Sequence, residues 1–179
     1  MKRKVTVAII IIVCFLLQTT VFQALSFASI SPNLLIVVVS AFGFMRGKKE
    51  GLFIGFFSGL LVDVFFGNIL GFNALIYMYI GYVNGLFSSI FFPDDIKLPM
   101  LLISASDLIC NLCVYFFLFL FRKRFSFGYY VLHLIIPELV YTLLVTILLY
   151  WIILKINQWL EKSEKRSETK FVWAHQRIF

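Results

Sequence analysis

The segment from Gly51 to Gly67, GLFIGFFSGLLVDVFFG, is apolar apart from Ser58 and Asp63 and carries a glycine or Asp63 at every fourth position. The repeated positions are Gly51, Gly55, Gly59, Asp63 and Gly67. Residues four apart lie on adjoining parts of one helix face, and small residues at this spacing let two helix backbones approach closely in lipid. The segment therefore predicts a membrane-spanning helix with a narrow contact face. On that face Asp63 is either a contact to another helix or protein, or a structural acid bonded to a neighbouring helix.

The composition of the whole chain agrees with a lipid environment. Of its 179 residues 61% are hydrophobic and 14% are charged, whereas soluble domains are about 45–50% apolar and about 25% charged. Strands with open edges leave backbone groups unpaired in lipid, so separate spans are helices. We therefore predict an all-α integral membrane protein.

Apolar runs long enough to cross a bilayer, about 20 residues each, divide the chain into six predicted spans. They form one six-helix membrane domain over residues 1–157, with spans at about 5–25, 32–45, 51–67, 71–92, 99–121 and 129–155. The second span is short, so it either extends into its flanks or thins the bilayer. Pro137 is expected to kink the sixth span. Residues 158–179 are expected to form a charged cytoplasmic tail.

The basic residues give the predicted orientation. The net charge is +7, and Lys and Arg cluster at Lys2–Lys4, Arg46–Lys49, Arg122–Arg124 and in the tail from Lys155. The positive-inside tendency places both termini in the cytoplasm of a multi-pass protein, with Arg122–Arg124 outside and against the tendency. These residues lie at the ends of apolar runs, where Lys and Arg set topology and bind anionic headgroups, so no nucleic-acid binding is expected.

The fourth predicted span has a face that matches the third. Asn73, Tyr77, Gly81 and Gly85 recur at the same four-residue spacing, and Asn84 lies beside the last of them. The connecting turn from Gly67 to Gly71 is too short to separate the two helices. We expect the two small-and-polar faces to pack against each other.

Two further acids lie inside predicted spans, where ionisable side chains are costly. In the fifth span, Ser104, Asp107, Asn111 and Tyr115 share one face, and in the sixth, Glu138 is followed by Thr142 and Thr146. Asp107 and Glu138 lie near mid-membrane by the helical rise, so their helices can bring them together. A proton relay would use such a pair, and so would a static hydrogen-bond clamp.

No pattern indicates catalysis, a cofactor or a metal. Cys14, Cys110 and Cys113 lie within apolar runs, and the Cys110–Cys113 pair is half of the four-ligand set that structural zinc needs. His133 and His175 are isolated in the sequence. The chain is predicted not to be an enzyme.

Several motifs resemble MreD proteins of rod-shaped bacteria: SPNLL at 31–35, FMRGKKEG at 44–51, GFFSGLLVD at 55–63 and LGFNALIY at 70–77. The resemblance covers about residues 5–160, and the block from Pro32 to Gly85 is its most specific part. The matched positions are Pro32, Asn33, Arg46, Gly51, Gly59, Asp63, Gly71, Asn73, Gly81 and Glu138.

This resemblance implies more than the residues do. It implies a six-helix bundle similar to the vitamin-transporter substrate-binding subunits (S-components). It also implies a non-enzymatic protein of the inner (plasma) membrane that partners MreC and acts with MreB, RodA and an elongation transpeptidase, directly or through MreC, in cell-wall elongation. The alternative is a transporter subunit that binds a small molecule. A transporter would have a roomy polar cavity, whereas a scaffold would have packed polar contacts and an exposed small-residue groove.

Overall fold

A computed structural model describes residues 2–24, 31–67, 69–90, 96–122 and 131–176, and within these ranges every regular element is helical. A 3₁₀ turn at Phe87–Ile90 follows the fifth helix, and a π-helical turn at Val131–Ile135 precedes the last one. The α-helices are α1 (Lys2–Thr19), α2 (Val21–Ala24), α3 (Leu34–Arg46), α4 (Lys48–Phe66), α5 (Phe72–Leu86), α6 (Lys97–Arg122) and α7 (Ile136–Gln176).

The all-helical prediction is confirmed, and six long helices fit a helical bundle. Among the described residues two stretches have the length and hydropathy of a membrane span, Lys97–Phe117 and Ile136–Lys162, and Leu34–Arg46 is a shorter apolar helix. The count of six spans stays a prediction. The first predicted span is divided at Thr20 between α1 and α2, and α7 continues beyond the sixth predicted span to Gln176.

The short helix α3 is the centre of the fold. Its residues from Leu34 to Met45 are all buried, and α1, α4, α5, α6 and α7 all pack against it. A helix that is surrounded by protein does not have to match the bilayer thickness. Helix α3 begins at Leu34 and ends at Arg46, so it does not extend into its flanks, and local thinning of the bilayer stays a prediction.

The buried start of α3 is capped by side chains. Asn33 Oδ1 accepts a hydrogen bond from the Ile36 amide at 3.3 Å, and Gln18 Oε1 of α1 accepts one from the Leu35 amide at 3.2 Å. The first amides of a helix have no partner within the helix, and lipid offers none. Since Gln18 supplies one, it ties α1 to the core.

A single residue joins α3 to α4. Gly47 has φ 95°, a left-handed conformation that a side chain would strain, and α4 begins at the next residue. This sharp reversal lays α4 back beside α3 and α5. A Cβ built on Gly51 would lie 2.8 Å from Gly43 Cα.

Helices α1 and α4 run parallel, side by side. The Arg3 guanidinium forms an ion pair with Glu50 at the start of both helices, and near their ends the Phe15 ring lies 5.2 Å from the Phe65 ring. Arg46, Lys48 and Lys49 lie at the same end as Arg3 because Gly47 joins α3 to α4 there. We call this end, with Arg3, Lys4, Arg46, Lys48 and Lys49, the basic end.

Pro137 lies in the first turn of α7, directly after the π-helical turn. Proline is tolerated in a first turn because the amide it lacks has no partner inside the helix. The wide π-helical turn lies before Pro137 and α7 continues to Gln176, so the kink expected at Pro137 stays a prediction.

Candidate functional site

Among the described helices the most extensive contact joins α4 to α5. The glycine series of α4 faces the small-and-polar series of α5, and the facing positions advance in opposite directions, as antiparallel helices require. The opposed positions are Lys48 with Gly85, Gly51 with Gly81, Gly55 with Tyr77, and Gly59 with Asn73 and Ala74.

The backbones touch at these positions. A Cβ built on Gly81 would lie 2.1 Å from the Gly51 carbonyl oxygen, and one on Gly55 would lie 2.2 Å from the Tyr77 carbonyl oxygen. Any side chain larger than hydrogen would force the helices apart. The glycine face is therefore used within the chain and is covered by α5, so it offers no exposed groove to another protein.

Asp63 is the cap of α5. Its Oδ2 accepts from the amides of Gly71 at 3.0 Å and Ala74 at 2.9 Å. Its Oδ1 accepts from the amide and the side-chain Nδ2 of Asn73, at 3.0 and 2.9 Å. A carboxylate at a helix N-terminus satisfies amides that the helix leaves unpaired and interacts favourably with the helix dipole. Asp63 is 3% exposed, so the geometry is that of a structural acid bonded to a neighbouring helix.

A second polar junction joins α3, α5 and α6. The buried Asn84 Nδ2 donates to Ser106 Oγ of α6 at 2.7 Å and to the Ile80 carbonyl at 2.9 Å, and Ser40 Oγ of α3 lies 3.4 Å away. This contact fixes α6 against the core through one amide.

A third set of polar side chains surrounds the start of α3. Tyr77 donates from its hydroxyl to Asn33 Oδ1 at 3.2 Å, and the Asn33 amide donates to Thr142 Oγ1 at 3.2 Å. Because Thr142 Oγ1 accepts this bond, its own hydrogen can turn to another acceptor.

The neighbouring acid is Asp107. The Thr142 hydroxyl lies beside its carboxyl group, although neither Asp107 oxygen meets the geometry of a hydrogen bond within the described part of the chain. Asp107 is 0% exposed, Glu138 is near enough to interact with it electrostatically, and Asn111 lies beside Glu138. We call Asn33, Tyr77, Asp107, Asn111, Glu138 and Thr142 the interior polar cluster. It is the candidate functional site, and its carboxyl, amide and hydroxyl groups can all take part in hydrogen bonds.

The predicted site residues therefore lie in two separate places in the structure. The predicted glycines, together with Asp63 and Asn73, lie on the α4–α5 contact, and Asp107, Asn111 and Glu138 lie in the interior polar cluster. Ser104 donates to the Met100 carbonyl of its own helix at 2.6 Å. The histidine side chains, Lys123, Arg124 and the side chains of the tail beyond Lys162 lie outside the described part.

In the described part of the chain, the cysteines and acids do not assemble into a potential metal site. Cys14 and Cys110 are buried and Cys113 is half-buried, all as free thiols. Among the described residues no three His, Cys, Asp or Glu side chains gather where they could hold a metal ion.

Sequence reasoning missed several contacts that hold the helices together. Arg46 donates through Nε to Asn157 Oδ1, and Asn157 Nδ2 donates to Glu161 at 3.1 Å, so the end of α3 is bound to α7. Gln18 and Ser106 were missed as well. A polar residue in an apolar run was the available signal in each case, but its partner lies far away in the sequence.

Comparison with known proteins gave one match. A family model described as "rod shape-determining protein MreD" matches residues 1–160. No curated protein and no solved structure matches the chain, so the likeness to vitamin-transporter subunits stays a prediction.

Proposed function

The chain belongs to the MreD family of rod shape-determining proteins, and from that premise we propose that it is a non-enzymatic subunit of the machinery that elongates the bacterial cell wall. In this proposal it partners MreC in the inner membrane and acts with MreB, RodA and an elongation transpeptidase, directly or through MreC. The observation that carries the proposal is the family match over residues 1–160. The family itself implies a role in rod shape.

The packing of the interior favours a scaffold over a transporter subunit. Asp63, Asn84 and Asn157 are each 3% exposed or less, and each is hydrogen-bonded to another helix or to its own. Polar side chains that are matched to each other hold a fixed arrangement. A fixed arrangement of helices presents a constant outer surface to a protein partner.

Since α5 covers the glycine face of α4, we place the MreC contact elsewhere, on α7. Val140, Leu144, Ile147 and Trp151 form a seam with spacings of four, three and four residues, and they are 51%, 64%, 58% and 56% exposed. That spacing keeps side chains on one stripe of a helix and suits a second helix packed along it. The occupant we propose is a transmembrane helix of MreC.

Helix α7 is also long enough to leave the membrane. Its 41 residues extend about 60 Å at 1.5 Å per residue, against a hydrocarbon core of about 30 Å. Asn157 is bonded to Arg46, so α7 passes the basic end and continues beyond it. Following the positive-inside tendency, we propose that this end is cytoplasmic, together with both termini and the tail from about residue 158.

The test is co-purification with tagged MreC in mild detergent, at equal expression. The paired variants are Leu144→Trp, in the α7 seam, and Leu101→Trp, on α6, because both leucines are 64% exposed. We expect the wild type and Leu101→Trp to retain MreC and Leu144→Trp to lose most of it. Absence of MreC from the wild-type preparation would overturn the proposed partnership. Equal retention by both variants would move the contact away from α7.

A further inference from the structure

A groove runs between α1 and α4 from the basic end toward the middle of the fold. It has a volume of about 730 Å³, and its lining includes Val7, Ile11, Phe53 and Phe57. Val7 and Ile11 are buried and form its floor, whereas Phe53 and Phe57 are 61% and 55% exposed and form its rim. The groove therefore has apolar walls and is open along its rim to the medium around the protein.

The mouth of the groove is cationic. Arg3, Lys4 and Lys49 line it together with one acid, Glu50, and Glu50 is paired with Arg3. Lys4 and Lys49 are both exposed. The first turns of α1 and α4 lie here too, and helix N-termini favour anions. Gly47 gives α4 no capping side chain. This mouth suits a negatively charged group.

The lining of the groove ends at Ile11 on α1 and at Phe57 on α4. The Phe15 ring contacts the rings of Phe65 and Phe66 at 5.2 and 6.0 Å, beyond the lining residues. Phe15 lies eleven residues after Lys4, or about 16 Å along α1, and one leaflet is about 15 Å deep. The space therefore has the depth of a single acyl chain.

We propose that this groove binds one anionic glycerophospholipid. Its phosphate lies between Lys4 and Lys49, and one acyl chain lies on Val7 and Ile11 under the phenylalanine rim. A transmembrane helix of a partner fits less well, because it crosses both leaflets and would meet the Phe15–Phe65 contact at mid-depth. This site is independent of the proposed MreC partnership, since binding is measured on the chain alone.

The experiment is native mass spectrometry of the purified full-length chain, titrated with phosphatidylglycerol or phosphatidylcholine. We expect the wild type to retain phosphatidylglycerol in preference to phosphatidylcholine. Lys4→Gln/Lys49→Gln should weaken its retention about 10-fold or more, since two interfacial cations are removed. Lys155→Gln/Lys162→Gln removes two exposed cations outside the groove and should leave retention unchanged.

A second pair of variants tests the acyl part without changing the charge. Ala8→Phe fills the groove, because Ala8 lines it, whereas Ile9→Phe adds bulk at the neighbouring position, which is 54% exposed and outside the lining. Retention should fall for Ala8→Phe alone. Equal retention of both lipids by the wild type would overturn the proposal. So would loss of MreC co-purification by Ala8→Phe with lipid retention equal to that of Ile9→Phe, which would assign the groove to a partner helix.

Discussion

Asp63 Oδ1 accepts hydrogen bonds from both nitrogens of Asn73, at 3.0 Å from the backbone amide and 2.9 Å from the side chain. The last turn of α4 thereby supplies the cap with which α5 begins. The same carboxyl group also holds the amides of Gly71 and Ala74. One side chain thus closes the α4–α5 hairpin at the end opposite the basic end.

Removal of this cap should be costly. Asp63→Ala leaves four donors without their acceptor in a buried place, so we expect a loss of about 3 kcal/mol or more in the free energy of unfolding. Asn73→Ala removes one side-chain donor and keeps the backbone bonds, so it should lose about 1 kcal/mol. The measurement is equilibrium unfolding in detergent. Equal losses for the two variants would show that the start of α5 does not depend on the carboxylate.

The glycine contact predicts a sharp dependence on side-chain size. In Gly81→Ala the new methyl group would meet the Gly51 carbonyl oxygen at 2.1 Å, so the helices must separate, at a cost of about 1–3 kcal/mol or more. Val64→Ala on α4 is the matched control, because Val64 is 59% exposed and should change stability by about 0.5 kcal/mol or less. Thermal unfolding of the purified variants compares them. A wild-type melting temperature for Gly81→Ala would disprove the backbone contact.

Two serines on α6 isolate the contact with Asn84. Ser104 and Ser106 each donate to the carbonyl four residues earlier, at 2.6 and 2.7 Å, but of the two only Ser106 also accepts from Asn84. Ser106→Ala should therefore destabilise the protein by about 1 kcal/mol more than Ser104→Ala. The difference in unfolding free energy is the readout. No difference would mean that the Asn84 bond does not fix α6.

The link between Arg46 and α7 predicts a change in local motion. Asn157→Ala removes the side-chain oxygen that accepts from Arg46, so α7 near the basic end should open more often and its amides should exchange hydrogen faster. Gln158→Ala is the control at the next, exposed position. Hydrogen-exchange mass spectrometry over residues 150–162 measures this. Identical exchange in both variants would show that the Arg46 contact does not hold α7.

The sequence patterns that could be predicted were local ones. Apolar runs gave the positions of the long helices, since about 20 apolar residues in a row have few other folds. The four-residue series in Gly51–Asp63 and Asn73–Gly85 indicated that α4 and α5 pack together, because a short turn joins them. Neighbours in sequence had to be neighbours in space.

The rest depended on which helix lies inside, and hydropathy does not show that. The run Leu34–Met45 is apolar whether lipid or protein surrounds it, so the sequence does not show that this helix lies at the centre of the fold. Asp63 stood out in the sequence as an acid in an apolar run, but its main partners are backbone amides, which almost every residue type carries. Partners such as Asn157 for Arg46 need the three-dimensional fold.

Replacement of Asp by Asn should have different effects on stability at two buried acids, Asp63 and Asp107. In Asp63→Asn an NH2 group replaces one of the two oxygens that accept the four hydrogen bonds. Two donors then lose their acceptor, so the protein should be destabilised. In Asp107→Asn the new amide keeps the size of the carboxyl group, and within the described residues that group makes no hydrogen bond of standard geometry. Stability should therefore stay within about 1 kcal/mol of the wild type.

If the chain is a scaffold, Asp107→Asn and Glu138→Gln should both restore rod shape in cells that lack their own MreD. A proton relay would need groups that titrate, so loss of rod shape in both variants at wild-type stability would replace the static clamp with a relay.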